Sequence, residues 1–336
     1  MKNFEFRTIT PQHIPSMSSL LLERQEQEAG KFPFLKNGYL GLEQITDKLQ
    51  KLLATGQAIG VGAFAHGELV GYLVGMIRID TRSGRCAVVP YEGVAIGCDQ
   101  PAELIRYLYT EVSVRWLEHG CFAHSAVVPL ANPLYLGAFL QLSFGIEQVH
   151  GVLHIGEYKP FDHGAPVEIR IATEKDQEVM GQMSSIISKH QNAAPVFIPA
   201  FPEVLGAIRE GFQSSLEDKN IIVLLAEEAR EPLGFHMYEI IPPGLMTPDS
   251  AVELCVAGTL RSHMGRGVGK SLMNDGARMM KEKGYSYIIT DWRITNLASS
   301  TFWPKCGFQP IAYRMARFID PNYAWANLNN PCIEKF

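Results

Sequence analysis

The sequence predicts an α/β protein made of two tandem copies of one domain, each a mixed, mostly antiparallel sheet flanked by helices. Three observations support this prediction. The chain has 336 residues, which suits two domains of roughly 100–200 residues each. Stretches of the first half recur in the second half about 164 residues later. Within each copy, short apolar runs of strand length alternate with longer segments of helical periodicity.

The repeat is clearest around two asparagines. Segments Gly120–Asn132 and Gly284–Asn296 both read as a glycine, an apolar strand and a loop that ends in asparagine. A linker rich in proline, glycine and charge lies near residues 158–166. The duplication therefore predicts one domain over residues 1–160 and a second over residues 165–336.

Periodicity predicts the elements of the second copy in order, after a short opening strand. The predicted helices are Glu174–His190, Pro202–Asp218, Gly267–Lys283 and Leu297–Lys305. The predicted strands are Ile221–Ala226, Leu233–Tyr238, Val252–Thr259, Tyr285–Asp291 and Ala312–Phe318. Gly284 follows the third helix, where a glycine commonly ends a helix.

Composition argues against several classes of function. The net charge is −5, and neither half has the basic excess that binding to a phosphate backbone requires, so we expect no nucleic-acid partner. The six cysteines are scattered without a C-x-x-C pair, which predicts neither a disulfide framework nor a metal site. No signal-peptide core and no run of about 18 apolar residues is present. We therefore expect a cytoplasmic protein that does not bind membranes.

The most informative segment runs from Thr259 to Leu272 and reads TLRSHMGRGVGKSL. It follows a predicted strand and opens a predicted helix. The first amides of a helix have no partners inside the helix, and the helix dipole favours an anion there. Glycines let the backbone approach a phosphate closely, and basic side chains add charge. The residues that suit a pyrophosphate in this way are Gly265, Arg266, Gly267, Val268, Gly269 and Lys270.

Two common nucleotide-binding motifs do not fit this loop. A P-loop needs a glycine at the position that Met264 occupies. A dinucleotide fingerprint needs three glycines in a parallel βαβ unit near the start of a domain, whereas this loop follows several strands.

With a second motif downstream, the loop resembles the cofactor signature of the GNAT superfamily of acyl-coenzyme A N-acyltransferases. The pattern [RQ]-x-x-G-x-[GA] falls on Met264, Gly267 and Gly269. The pattern N-x-x-A-x-x-x-[YF]-x-x-x-G-F falls on Asn296, Ser299, Trp303, Gly307 and Phe308. The resemblance covers nearly all of the second copy and, more faintly, the first.

This resemblance implies acetyl-CoA as co-substrate and assigns residues to it. In the family, the strand before the loop and the loop itself hold the pantetheine arm and the pyrophosphate. Here these residues are Ala257, Gly258, Thr259 and the segment Met264–Lys270, with Asn296, Ser299 and Trp303 beside the cofactor. Asn296 could equally cap a loop. Two residues depart from the pattern. Met264 replaces an arginine or glutamine, so one polar contact to the cofactor is lost, and Arg266 can supply it instead. Trp303 replaces the tyrosine that often acts as general acid, and tryptophan cannot donate a proton to the leaving thiolate.

Glu253 is the candidate general base. An ammonium with a pKa of about 10.4 must lose a proton before it attacks a thioester, and a carboxylate can accept that proton through water. Glu253 lies 11 residues before Met264, and the histone acetyltransferase branch is similar in having a glutamate base at this spacing. The alternative is a strand glutamate that faces solvent or forms a salt bridge.

Further polar residues each allow two interpretations. His236 and Tyr238 could line the amine pocket or lie in the interior, and Asp291 could bind a substrate cation or cap a turn. Cys255 and Cys306 are more typical of packing than of a covalent acyl-enzyme. We expect substrate choice to reside in the loops at residues 192–202 and 242–248.

In the first copy, the sequence CDQPAELIRYLY replaces the glycine loop. Pro101 removes an amide, and Asp99 and Glu103 would repel a pyrophosphate. Ser143 replaces the glycine of the second signature. We expect this copy not to bind coenzyme A in the usual way.

The leading hypothesis is an N-acetyltransferase that moves an acetyl group from acetyl-CoA to a primary amine of a small molecule. The alternative is a non-catalytic acyl-CoA-binding sensor or scaffold. Either protein could be a monomer or a homodimer.

Overall fold

The computed structural model of the protein describes residues 4–36, 41–80 and 83–328. Its internal contacts divide the chain into two compact units. The first holds Met1–Gln148 and Ile311–Phe336, and the second holds Val149–Pro310.

The elements before the linker correspond to the first copy. Its strands are β1 (Glu5–Thr8), β2 (Ala58–Ala65), β3 (Glu68–Asp80), β4 (Gly84–Val89), β5 (Val94–Ile96), β6 (Ala123–Pro129) and β7 (Gly145–His154). Its helices are α1 (Ile14–Lys31), α2 (Leu42–Ala54), α3 (Glu103–Glu118) and α4 (Pro133–Gln141).

The elements after the linker correspond to the second copy. Its strands are β8 (Glu168–Ile171), β9 (Ile221–Glu228), β10 (Glu231–Ile240), β11 (Ala251–Thr259), β12 (Tyr287–Arg293) and β13 (Gln309–Phe318). Its helices are α5 (Gln177–Met183), α6 (Ser185–Asn192), α7 (Pro202–Ser214), α8 (Val268–Glu282), α9 (Leu297–Lys305) and α10 (Asn322–Leu328).

The sheet of the first unit runs in the order β1-β2-β3-β4-β6-β13, and β5 pairs with β3. The pair β4 and β6 is parallel, whereas β13 lies antiparallel to β6, from Ala312 opposite Pro129 to Phe318 opposite Ala123. Trp116 of α3 is fully buried in the core of this unit, and Met315 of β13 belongs to the same core. The last strand of the chain thus completes the first unit.

The sheet of the second unit runs in the order β8-β9-β10-β11-β12, followed by the part of β7 from Val149 onward. Neighbours from β8 to β11 are antiparallel, and β11 and β12 are parallel. One face of this sheet packs on α5 to α7 through a core that includes Met180, Phe235 and Met237. Both units are mixed sheets with helices, as the sequence predicts.

The compact units and the predicted domain limits follow different criteria. The limits 1–160 and 165–336 follow the repeat, whereas the compact units follow contacts. The two divisions differ at the strands that end each copy, because residues 149–154 belong to the second unit and residues 311–318 to the first.

Two predicted helices are shorter in the structure. The helix predicted over Glu174–His190 is interrupted at Ser184, where the chain passes from α5 to α6 and the serine hydroxyl donates to the carbonyl of Gly181 over 2.7 Å. Serine competes in this way with the regular helix bonds. The helix predicted to end at Asp218 becomes a 3₁₀ turn after Ser214.

The described part of the chain contains five cysteines, all free, while Cys332 lies outside the described residues. Within the same ranges, no helix is both long enough and apolar enough to cross a membrane. Nor do those residues bring three or more histidine, cysteine or carboxylate groups together in a metal-binding arrangement.

Candidate acyl-CoA site

The glycine loop connects β11 to α8 as predicted. A 3₁₀ turn over Arg261–His263 follows β11, and the chain then reaches Gly265 with φ +79° and Gly267 with φ +93°. Gly267 is the N-cap of α8 in the left-handed conformation, which only glycine adopts without strain. The sequence therefore needs glycine at both positions to turn from the strand into the helix.

The start of α8 offers three unpaired amides. The amide of Ser271 donates to the carbonyl of Gly267 over 3.1 Å, so the N–H groups of Val268, Gly269 and Lys270 have no acceptor within the helix. A Cβ on Gly269 would meet nothing nearer than the ring of Phe302 at 3.7 Å. The amides and the open space at Gly269 suit an anion that approaches along the helix axis.

The strand before the loop carries a bulge. Met237 of β10 lies opposite Val256, whereas the next residue, Tyr238, lies opposite Leu254, so Cys255 is the extra residue on β11. Glu253 lies opposite Glu239. Because Met237 and Glu239 are two residues apart on β10, Val256 and Glu253 face the same side of the sheet.

The pairing between strands β11 and β12 ends two residues before the bulge. Their parallel pairing ends where Glu253 lies opposite Ile289, and beyond it the hydroxyl of Thr290 donates to the carbonyl of Leu254 over 2.8 Å. The residues from Val256 to Thr259 are half-buried. The end of β11, at Ala257, Gly258 and Thr259, therefore lies directly before the glycine loop.

Glu253 lies in an electrostatic setting that suits a base. Its side chain is half-buried, and burial raises the pKa of its carboxyl above the ordinary value. The nearby carboxylates of Asp291 and Glu239 raise that pKa further, because like charges disfavour ionisation. A general base works best when its pKa lies near the working pH, so a raised pKa makes this carboxyl a better base at neutral pH.

Helix α9 carries the second signature. Asn296 is its N-cap, and its side-chain oxygen accepts from the amide of Ser299 over 3.3 Å. Asn296 therefore caps this helix, one of its two predicted roles. Trp303 is buried, with its ring edge-on to Phe302 and Phe308 and tilted against His236. Trp303 is thus part of an aromatic cluster that joins α9 to β10.

His236 and Tyr238 lie in the interior, one of their two predicted positions. His236 Nδ1 lies 3.2 Å from the Tyr238 hydroxyl, and both side chains are buried. Burial lowers the pKa of His236 to about 3. Asp291 is exposed.

The two candidate cysteines lack the features of a nucleophile. Cys306 is buried as a packing residue would be, and burial raises its thiol pKa to about 12. Cys255 is exposed, which corrects its expected packing role, and desolvation together with the carboxylates of Glu253 and Glu239 raises its thiol pKa to about 12. The thiol of Cys255 donates to the carbonyl of Met237 over 3.2 Å. Neither thiol is activated, since a reactive cysteine has a lowered pKa.

The corresponding loop of the first unit has a different geometry. Residues 97–102, all of which the structure describes, contain no residue with positive φ, and Ala102 precedes α3 in the right-handed helical region. The amide of Leu104 already donates to the carbonyl of Pro101 over 3.0 Å. Glu103 supplies its own carboxylate in the first turn of α3 and pairs with Arg106 at 2.8 Å. This helix start has less to offer an external anion.

A buried arginine in the first unit was not predicted. Arg24 of α1 is 1 % exposed, and one of its guanidinium nitrogens, Nη1, donates to the carbonyls of Tyr91 and Val94. Tyr91 is the first residue of a 3₁₀ turn, Tyr91–Gly93, that separates β4 from β5, and Val94 directly follows that turn. The partners are at least 67 residues away from Arg24 in sequence, so no local pattern could have indicated them.

A comparison with models of protein families finds a match within the second unit. Residues 190–308 match the model of the acetyltransferase (GNAT) family. The GNAT family is thus assigned to residues 190–308, which lie within the second unit. A comparison with curated protein sequences finds no match.

Several solved structures share the fold over the whole chain. A GCN5-related N-acetyltransferase from Sphaerobacter thermophilus has a TM-score of 0.63 at 12 % identity, over 95 % of this chain and 96 % of that one. A tandem GNAT protein from the clavulanic acid biosynthesis pathway has a TM-score of 0.55 at 13 % identity, over 95 % and 99 %. At these identities the similarity shows the fold alone.

Proposed function

We propose that the second unit transfers an acetyl group from acetyl-CoA to a primary amine of a small molecule. The observation that carries this proposal is the start of α8. There, a left-handed glycine cap is followed by three amides without a partner in the helix, and the strand that leads into this loop no longer pairs with β12. At residues 97–102, the corresponding described segment of the first unit, no left-handed cap precedes the helix, so we propose one acyl-CoA site per chain.

The residues at this loop fit the pyrophosphate of coenzyme A. The amides of Val268, Gly269 and Lys270 are donors for phosphate oxygens, and the side chains of Arg266 and Lys270 add positive charge. Met264, which is 41 % exposed, would contribute only apolar contact. The half-buried end of β11, at Ala257, Gly258 and Thr259, would bind the pantetheine arm through its main chain. Asn296, Ser299 and Trp303 would line the other side.

The carboxylates around Glu253 favour a positively charged amine as the acceptor. Glu239, Glu253 and Asp291 are close enough for the charges of the other two to affect Glu253. Such a group attracts an ammonium and accepts a proton from it. We place acceptor selectivity in the loops at residues 192–202 and 242–248. In the first of these loops, Phe197 is 71 % exposed and would provide apolar contact.

The proposed reaction is a direct transfer. Glu253 accepts a proton from the acceptor ammonium, directly or through water, and the free amine attacks the thioester carbonyl carbon. A C–N bond forms and the C–S bond breaks, so that the electron pair leaves on sulfur. The thiolate takes its proton from water, because Trp303 cannot donate one. The second proton of the amine is lost as the amide forms.

Calorimetric titration with acetyl-CoA tests the donor site. Gly269→Glu places a carboxylate among the three amides, and it is a cleaner variant than a change at Gly267, where a Cβ would lie 2.8 Å from the amide nitrogen of Ala165. We expect one site in the native protein and none in Gly269→Glu. Gly269→Ala is the matched control and should bind, as should Ala102→Glu at the equivalent helix of the first unit. Two sites, or binding that survives Gly269→Glu, would contradict the assignment.

Release of free thiol tests turnover. Thiol that appears only when both acetyl-CoA and an amine are present supports the transferase. Binding of acetyl-CoA with no thiol release across a panel of amines would favour the acyl-CoA sensor instead. Competition between acetyl-CoA and longer acyl-CoA esters would then define the acyl chain.

A further inference from the structure

The segment Tyr158–Val167, here called the strap, does more than connect the two copies. The sequence predicts a linker here, but in the structure the backbone and side chains of this segment contact α8 within the second unit. The contacts fall on one side of the helix, at residues 267, 270, 271 and 274, and this side begins at the glycine loop.

Asn274 fastens one end of the strap. Its side-chain oxygen accepts from the hydroxyl of Tyr158 over 2.7 Å and from the amide of Phe161 over 2.9 Å. Its side-chain nitrogen donates to the carbonyl of Phe161 over 3.0 Å. One side-chain amide thus makes three hydrogen bonds to a segment more than 100 residues away in sequence. A flexible linker would not be held in place in this way.

The other end of the strap lies directly behind the loop. The hydroxyl of Ser271 donates to the carbonyl of Ala165 over 3.0 Å. The amide nitrogen of Ala165 lies 2.8 Å from the position that a Cβ on Gly267 would take. The strap therefore packs against the residue whose left-handed conformation opens α8, and it limits how that residue can move.

Phe161 lies between the strap and the basic side chain of the loop. Its ring stacks on Phe302 of α9 with centroids 5.9 Å apart and planes 15° apart. The Lys270 ammonium lies 5.4 Å from the centroid of the same ring. A cation held over an aromatic face loses conformational freedom before it meets an anion. Phe161 thereby joins the two helices that carry the signatures and positions Lys270.

We propose that the strap is part of the acyl-CoA binding site, with Phe161 and Asn274 as positioning residues for the pyrophosphate. Asn274 fixes the strap, the strap supports the cap at Gly267, and Phe161 holds Lys270 beside the free amides. This inference rests on the proposed function, because it assumes that the loop binds a pyrophosphate. It adds that the chain between the two copies determines affinity for coenzyme A.

Calorimetry with free coenzyme A, together with steady-state kinetics, tests the strap. We expect Asn274→Leu and Phe161→Leu each to raise the Kd for coenzyme A and the KM for acetyl-CoA by roughly three- to tenfold. At saturating acetyl-CoA, kcat should stay within about twofold of the native value, because the reacting groups lie elsewhere. Phe161→Tyr keeps the ring and should restore native affinity. His163→Gln, an exposed change on the same strap, is the matched control.

A double-mutant cycle separates positioning from general packing. If Phe161 acts through Lys270, Phe161→Leu should have little further effect on the Kd in a Lys270→Met background. Thermal unfolding of each variant shows whether the second unit is still folded, and Phe161→Leu is the milder change should Asn274→Leu unfold.

The outcomes distinguish the two proposals. Native protein that binds no coenzyme A overturns the proposed function and the strap with it. If the native protein binds coenzyme A and the folded strap variants have the same Kd, the strap proposal alone is overturned. Equal, additive effects of Phe161→Leu with and without Lys270 would also exclude the positioning role.

Discussion

The hydroxyl of Tyr238 lies directly against Gly276, so that a Cβ on Gly276 would overlap the Tyr238 hydroxyl and lie 3.1 Å from the ring carbon that carries it. Tyr238 is fully buried, and Gly276 lies in the middle of α8. The sheet can approach the helix this closely only because position 276 has no side chain. The same approach holds α8, and hence the loop at its start, close to the sheet.

Gly276→Ala should therefore destabilise the protein. Overpacking of this kind costs about 1–3 kcal/mol, even though alanine favours a helix over glycine. Urea unfolding measures the loss, and Tyr238→Phe, which removes the overlapping hydroxyl, should recover part of it. Gly206→Ala in α7 is the control, because nothing lies within 4 Å of its Cβ position and the change should be neutral or stabilise by up to about 1 kcal/mol. Equal effects at both positions would contradict the packing argument.

The base at Glu253 should respond to the charge of Asp291. Removal of that carboxylate by Asp291→Asn should lower the raised pKa of Glu253, because a like charge no longer opposes ionisation. The acid limb of kcat/KM should then move to lower pH. Glu253→Gln should abolish this limb and reduce kcat by roughly 10²–10⁴-fold.

The comparison for this experiment is Glu231→Gln, at the start of β10, eight residues from Glu239 and exposed. It removes one carboxylate from the other end of the same strand. An acid limb that moves equally in both variants would mean that net charge, and not proximity to Glu253, controls the profile.

Acid should destabilise the second unit through His236. The pKa of His236 is lowered by burial to about 3 in the folded protein, against about 6.5 when unfolded. Between these two pKa values, the imidazole is protonated in the unfolded chain but neutral in the folded protein. The stability that this group contributes is therefore lost as pH falls from 6.5 toward 3. Between pH 7.5 and pH 5, the native protein should lose about 2 kcal/mol from this group.

Chemical unfolding of His236→Gln at both pH values checks this sign. The variant should be less stable than the native protein at pH 7.5, but its stability should fall less on acidification. His124 of the first unit has a pKa lowered to about 4 by burial, and it remains as a common background in both proteins. A pH dependence identical in the two proteins would exclude His236 as a source.

Arg24→Met should destabilise the first unit without affecting coenzyme A binding. The variant leaves the buried carbonyls of Tyr91 and Val94 without their donor, at a cost of about 2–4 kcal/mol. Thermal unfolding measures that cost, and calorimetry should find the same Kd for coenzyme A as in native protein. A folded variant that no longer binds coenzyme A would instead implicate the first unit in the site.

The sequence predicts the loop better than its surroundings. Glycine spacing carries backbone information, and Gly265 and Gly267 have the positive φ that their identity allows. Strand alternation correctly puts His236 and Tyr238 on one face, but it cannot tell which face a helix covers, and α8 covers theirs. The bonds of Asn274 join residues 113 and 116 positions apart, which no local pattern encodes. The break at Ser184 depends on one hydroxyl that outcompetes a helix bond.

The strands that end the two copies are exchanged, since β13 completes the sheet beside β6, while residues 149–154 lie beside β12. A gene fragment that stops at residue 160 would encode β6 without this neighbour, and one that starts at residue 165 would encode β12 without its own. Each product would expose an unsatisfied strand edge, which invites aggregation or pairing with another chain. The repeat predicted from the sequence and the compact units of the structure therefore have different boundaries, and a fragment designed on the first set would cut through the sheets of the second.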